Sequence, residues 1–302
     1  MKLGNKHVVL VLAAVALLPG TGTAFAQQSE WRPFVSVTGA YEGNGDLDGG
    51  GHFSVWNAFL RAGATRDLGG GNGVGVTFNY DYNDYSFSNP VAFGGVAPWN
   101  IVQRYGVAVP LTFGLSDGWS IGFVPSVDWF RENGAKSGDS LVWGGVVSGT
   151  KRFADGNRIG FGVGVYDRIE KTQALPFLLV DWRFSDRWRL VNPLAAGPTG
   201  PAGLELDYTL GSGWDLGVGV AYRSTRFRLS ETGPVPNGVG VQNGVPLFLR
   251  ATYAVRDQMT LHFFAGVVTA GELRVADSNG NWLRKVDYDP APFVGVNLTA
   301  RF

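Results

Sequence analysis

The sequence predicts an all-β chain, a transmembrane antiparallel up-and-down β-barrel of about 14 strands, with about 12 to 16 compatible with the pattern. Three observations predict it. Long stretches alternate apolar residues with polar residues or glycine; short turns alternate with longer connections; and aromatic residues recur at the short turns.

Alternation comes first because side chains two residues apart on a strand share a face. Val74, Val76, Phe78, Tyr80 and Tyr82 alternate with Gly75, Thr77, Asn79, Asp81 and Asn83. Trp119, Ile121, Phe123, Pro125, Val127 and Trp129 alternate with Ser120, Gly122, Val124, Ser126 and Asp128. Ile159, Phe161, Val163 and Val165 enclose Gly160, Gly162 and Gly164, and Trp214, Leu216, Val218, Val220 and Tyr222 enclose Asp215, Gly217, Gly219 and Ala221. Such segments fall near 31–41, 53–66, 73–86, 101–115, 119–131, 140–153, 157–169, 174–184, 187–194, 203–210, 214–229, 246–255, 259–274 and 290–302. Most exceed the five or six residues of an ordinary globular strand. They suit a tilted strand crossing hydrocarbon, which takes about 9–11 residues.

The connections then sort by length. Short turns occur at Asp67–Asn72, Ser116–Gly118, Asp155–Asn157, Ser185–Arg187, Gly211–Gly213 and Arg256–Gln258. Longer ones lie between them at Glu42–Gly51, Phe87–Asn100, Arg131–Asp139, Ala195–Ala202, Ser230–Val245 and Ala276–Asp289, with Glu170–Gln173 the one short exception. Short periplasmic turns and longer external loops are the habit of outer-membrane barrels. Three short turns share a further repeat: Phe113 to Trp119, Trp182 to Trp188 and Tyr208 to Trp214 each place an aromatic before, and Trp after, a Ser/Asp/Gly reversal. Asp, Ser and Gly make tight reversals easy, and Trp119, Trp188 and Trp214 are expected to form an aromatic girdle at the headgroup level.

The first residues read as a secretory leader over 1–26, before a barrel over 27–302. Lys2, Lys6 and His7 precede an apolar run from Val8 to Leu18, and Ala24-Phe25-Ala26 is an A-x-A cleavage site. The apolar run is short for a membrane helix, which needs about 20 residues. Twenty-five basic against 25 acidic residues give no basic excess for nucleic acid. With no cysteine, disulfides, thiolate metal sites and thiol nucleophiles are excluded.

From Val294 to Phe302 the chain alternates Val294, Val296, Leu298, Ala300 and Phe302 with Gly295, Asn297, Thr299 and Arg301. This resembles the terminal strand of bacterial outer-membrane β-barrel proteins, which end on an aromatic residue read by the outer-membrane assembly machinery. The resemblance makes Phe302 the assembly signal, and Ala300 departs from it where a larger apolar residue is usual. The chain from 27 onward also resembles a family of outer-membrane barrels of unassigned function with the same turn-Trp spacing. That likeness implies fold and outer-membrane location, in contact with lipid and lipopolysaccharide, and no activity.

About 14 strands spaced about 4.8 Å apart and tilted about 40° enclose a backbone diameter of roughly 28 Å, too wide for side chains alone to fill. On the expected inner face, Asp181, Arg183, Arg189, Glu205 and Asp207 fall on three successive strands and form the candidate lumen charge cluster. It reads either as a wall-bracing ion-pair ladder or as a constriction selecting solutes. Arg226 and Arg228, with Arg131 and Lys136, read as an outward basic rim facing either solvent or lipopolysaccharide. His52-Phe-Ser54 is similar to the His-x-Ser pair of the outer-membrane phospholipase family, but that family's surrounding Asn- and Gly-containing sequence is missing. No catalytic residue, metal site or cofactor is expected. Two functions stay open: a porin-like passive channel or transporter for small solutes, or a structural barrel with a plugged lumen whose external loops, Glu231–Val245 foremost, bind a partner.

Overall fold

The computed structural model describes residues 30–194, 197–200 and 202–302, so the expected leader over 1–26 lies outside the described residues. Sixteen strand segments build the wall: β1 (Arg32–Asp46), β2 (His52–Gly69), β3 (Asn72–Ser88), β4 (Ile101–Ala108), β5 (Leu111–Gly114), β6 (Trp119–Glu132), β7 (Leu141–Arg152), β8 (Arg158–Arg168), β9 (Thr172–Arg183), β10 (Trp188–Val191), β11 (Ala202–Gly211), β12 (Trp214–Arg228), β13 (Val239–Arg256), β14 (Met259–Ala276), β15 (Trp282–Tyr288) and β16 (Ala291–Arg301). β4 with β5, and β15 with β16, are two arms of one strand, parted at Val109-Pro110 and Asp289-Pro290 where proline removes a ladder donor. The wall therefore has 14 strands, as the alternation predicts.

Each strand pairs antiparallel with the next, and β1 pairs with β16 from Phe34↔Arg301 to Glu42↔Phe293, which closes the ring. The Phe302 N–H donates to the Pro33 carbonyl at 2.9 Å, so the last residue completes the seam. Outside, the apolar members of each alternation stay uncovered: Phe161 is 56 % exposed and Leu249 61 % exposed. In hydrocarbon such a belt is favourable, and backbone groups bonded across strands need no water. Trp119, Trp188 and Trp214 are exposed at the strand starts that follow short turns. Trp188 lies 4.7 Å from Tyr208 and Trp214 4.8 Å from Tyr253, ring centre to ring centre, while the Lys151 ammonium sits 5.5 Å over Trp119.

The external end differs from expectation. Parts of Ser230–Val245 and Ala276–Asp289 are strand rather than loop, with β13 starting at Val239 and β15 covering Trp282–Tyr288. The outer ends pair with one another, Arg228↔Val239 and Ala276↔Trp282, and turn Phe227, Leu273 and Val286 into a shared apolar core. Pro and Gly in these stretches mask the strand signal. Phe53, Trp99 and Tyr288 join that core, with Trp99–Phe227 and Phe53–Tyr288 edge-to-face at 5.2 and 4.8 Å. Each such side chain contributes on the order of 1.5–3 kcal/mol by burial, and each aromatic contact about 1 kcal/mol more. A single parallel bridge, Arg228↔Arg131, joins β12 to β6 over the tops of β7 to β11, so the barrel tapers outward.

This orientation predicts that an epitope inserted at Pro234, in the exposed turn beyond β12, is bound by antibody on intact cells. One inserted at Ser212, in the β11–β12 turn, is expected to be bound only after the outer membrane is opened. The reverse pattern would invert the barrel.

Candidate functional site: the barrel interior

The inward face holds charges in separate, internally paired groups. On β9 and β10, Arg189 grips Asp181 with two bonds of 2.8 Å, Nε to Oδ1 and Nη2 to Oδ2, in the forked geometry that guanidinium and carboxylate share. Their side chains are 44 % and 35 % exposed, so solvent reaches this pair. On β11 and β13, Arg250 donates from Nε to Glu205 Oε1 at 2.5 Å and from Nη2 to both Asp207 oxygens at 3.0 Å. Its Nη1 lies 3.2 Å from His262 Nδ1, which also bonds Thr252 Oγ1 at 2.9 Å. Glu205 is fully buried against Gly217, where a Cβ would stand 2.0 Å from its Oε1. A third group runs Arg61–Asp81–Arg104–Asp128 across β2, β3, β4 and β6, with Arg104 Nε 2.9 Å from Asp128 Oδ1. Asp128 lies beside Gly106 as Glu205 lies beside Gly217. Glycine on the facing strand is what lets each carboxylate lie flat on the wall.

The five residues expected to form one cluster stand on adjoining rungs, Arg183↔Arg189↔Asp207 with Asp181 and Glu205 two residues along, but their side-chain hydrogen bonds fall into two groups. Asp181 and Arg189 form one pair; Glu205 and Asp207 belong to a second group organised by Arg250. Arg183 stands across the ladder from Arg189, and its backbone N–H donates to Asn157 Oδ1 at 2.7 Å near the β7–β8 turn. Sequence reading missed the ion pair of Glu42 and Arg223, which reaches across the interior from β1 to β12. Gln242 donates to Glu42 at 3.2 Å and accepts from the Tyr85 hydroxyl at 2.7 Å. The signal was present: continuing the alternation past Ala221 and Ala40 puts Arg223 and Glu42 inward.

Arg226 and Arg228 are not an outward rim. Both are 4 % exposed. Arg226 Nε donates to the Arg168 and Ile169 carbonyls at 3.1 and 2.7 Å, and Arg228 pairs with Glu170 at 2.6 Å. The inward lean of β12 at its outer end turns these side chains onto the tip of the β8–β9 hairpin. His52 and Ser54 face Ser88 and Ser86 across the β2–β3 ladder. Among the described residues no group of His, Asp and Glu is placed to hold a metal ion.

β10 is the irregular strand. It was expected over 187–194 and ends at Val191, because the Asn192 side chain takes the place of further backbone. Its Oδ1 accepts from the Val180 N–H at 2.9 Å, and its Nδ2 donates to the Leu178 and Gly203 carbonyls at 2.9 and 3.0 Å. The chain then leaves the wall. Leu194 packs on the apolar core, and the buried Pro198 accepts from Arg223 Nη1 at 3.1 Å.

Ring closure and an outward apolar belt define the class: the chain is a bacterial outer-membrane β-barrel protein. No family model and no curated protein matches the sequence. Among solved structures, an outer-membrane channel from Pseudomonas putida F1 is similar at 11 % identity and TM-score 0.49, over 95 % of this chain and 100 % of that one. The toluene transporter TodX of P. putida is similar at 6 % identity and TM-score 0.43, over 92 % and 91 %. The translocator domain of the autotransporter NalP from Neisseria meningitidis follows at 10 % identity and TM-score 0.37, over 91 % and 90 %. These are likenesses of general architecture and carry nothing about what passes through this barrel.

Proposed function

We propose that this barrel is a narrow passive channel for small solutes, with its path along the β6–β7 side of the lumen. The observation that carries this is an asymmetry of the inner wall. Inward-facing Ser36, Thr38 and Glu42 of β1 are buried, whereas Ser120, Ser126, Ser148 and Thr150 of β6 and β7 remain half-buried and reached by solvent. Small side chains on that side leave room that larger ones would fill. The solvent-reached pair Asp181–Arg189 stands on β9 and β10, beyond β8, and is the group we expect to act on a passing charge.

Planar-bilayer recording on the refolded protein tests this. Asp181→Asn is expected to shift ion preference toward anions by leaving Arg189 unopposed, and Arg189→Gln to shift it toward cations. Both shifts should shrink with salt, since the Debye length is about 10 Å at 0.1 M and about 3 Å at 1 M. Glu205→Gln with Asp207→Asn should change selectivity far less, because that group is turned away from solvent, with the Glu205 and Asp207 side chains 0 % and 15 % exposed. Absence of conductance and of solute flux would overturn the channel and favour a structural barrel, the reading that the apolar core at the outer end supports.

A further inference from the structure

The solvent-reached lane on the β6–β7 side stops short of the outer surface. Toward the outside, the inner face of β6 passes from Ser120 and Ser126 through Asp128 to Phe130, and that of β7 from Thr150 and Ser148 to Val142. There the outer ends of β12 to β14 lean across the lumen. Val142 of β7 and Ile169 of the β8–β9 turn form one buried cluster with Val239, Val241 and Ala276, and Phe130 and Tyr166 pack against it. Val239 and Ala276 are 0 % exposed.

This contact is a seam of a different kind from the rest of the outer end. Elsewhere neighbouring strands are laced by backbone ladders that run to their tips: β12 with β13 as far as Arg228↔Val239, β13 with β14 as far as Val239↔Ala276, β2 with β3 as far as His52↔Ser88. Across the seam the described residues make one strand bridge, Arg228↔Arg131, and one loop bond, from the Glu231 N–H to the Gly134 carbonyl at 3.3 Å. The other bonds come from side chains, and Arg228 is at their centre. It reaches over the seam to the Asp139 carbonyl at 2.8 Å and the Glu170 carboxylate at 2.6 Å, and on its own side holds the Asn237 carbonyl at 2.8 Å. Arg226 binds the β8–β9 tip beside it, and the Ser230 N–H donates to Glu132 Oε2 at 2.9 Å. Ladders open cooperatively, whereas side chains exchange their partners for water one at a time, so the outer end parts most easily here.

We propose that this seam is the outer gate of the channel, with Arg228 as its clasp, and that the outer ends of β12 to β14 swing off β6 to β9 to admit solute. The proposal rests on the channel reading above and gives it a regulated mouth. The lane leads to Phe130 and Val142, the residues that the seam covers. Parting exposes these together with Val239 and Val241, and the return of that apolar surface from water closes the mouth again. Within the clasp the Glu170 side chain is 36 % exposed against 5 % for Arg228, so water reaches the pair from the Glu170 side.

The absence of native cysteine supplies the test. Val241→Cys puts one thiol under the seam of the full-length protein, reconstituted in liposomes. The charged reagent 2-(trimethylammonium)ethyl methanethiosulfonate should modify it slowly, and about tenfold faster once Arg228→Met is added, the factor that one lost charge-assisted bond carries. Lys171→Cys with Asn279→Cys puts a thiol on each side of the seam, at exposed positions beside Glu170 and Gly280, where a Cβ on Gly280 would stand 2.8 Å from that of Glu170. In planar bilayers, joining these two with a reducible bis-methanethiosulfonate should abolish conductance, and reduction should restore it. Heat-shifted mobility on SDS gels verifies that each variant is folded. Conductance that persists on linking overturns the gate and keeps the channel. Modification of the Val241→Cys thiol that Arg228→Met leaves unchanged overturns the clasp. Faster modification with no conductance in any form keeps the parting seam and rejects the channel.

Discussion

Arg250→Met should be the most damaging single substitution in the lumen. It removes the partner of both Glu205 and Asp207 at nearly constant length, leaving the fully buried Glu205 carboxylate beside Asp207 with no counter-charge bonded to it. Breaking one side of a buried pair costs about 3–5 kcal/mol, because the stranded charge has lost water and partner alike. The midpoint of the heat-induced mobility shift on SDS gels reads this directly, since a closed barrel stays compact in SDS until it unfolds. The triple variant Arg250→Met, Glu205→Gln, Asp207→Asn should recover most of the loss, with no charge left to strand. A single variant as stable as wild type would mean that solvent already neutralises this group.

Deleting Phe302 should reduce the folded, membrane-inserted protein to a small fraction of the wild-type level. Two losses coincide: the aromatic terminus expected to be read during assembly, and the N–H that bonds Pro33 at the seam. Phe302→Tyr separates them, because it keeps an aromatic end and the backbone bond. It should insert normally, while Phe302→Gly, which keeps the backbone alone, should fail. Quantitative blotting of heat-shifted protein in outer-membrane fractions checks both. Wild-type levels of the deletion would place the assembly signal elsewhere in the chain.

The fold was legible because alternation is a property of every strand at once, and lipid outside demands it. Val218, Val220 and Tyr222 must face outward wherever the strand ends, so the strand count survived errors at the ends. The interior was legible only in part. Which residues face inward follows from parity, but which of them meet follows from tilt and register. Hence Arg250, which alternation with Leu247 and Leu249 puts on the inner face, was left out of the group it organises. Asn192 was invisible for a different reason: a side chain substituting for backbone leaves no periodic trace. Arg226 and Arg228 misled because parity alone turns them outward, and only the lean of β12 covers them.

The glycines opposite large rings carry a consequence for how strands find their partners. Tyr288 lies over its directly paired Gly271, where a Cβ would stand 2.2 Å from the ring. A slip of two residues, which preserves the inward face, would set that ring against Thr269 or Leu273. The β14–β15 ladder therefore rejects sliding from within. Phe177 lies over Gly162 in the same way, with a Cβ 2.4 Å from the ring, and of the flanking glycines Gly164 lies under the Tyr166 ring and Gly160 beside the Thr150 methyl. The alignment of β9 is dictated by the tight turn at Ile169 and Glu170, both at positive φ, and by the bonds that hold that turn to β12. One hairpin carries its alignment in a seated ring and the other chiefly at its tip, so lengthening the second tip by two residues would leave only Tyr166 and Thr150 to oppose a slide of β9 up the wall.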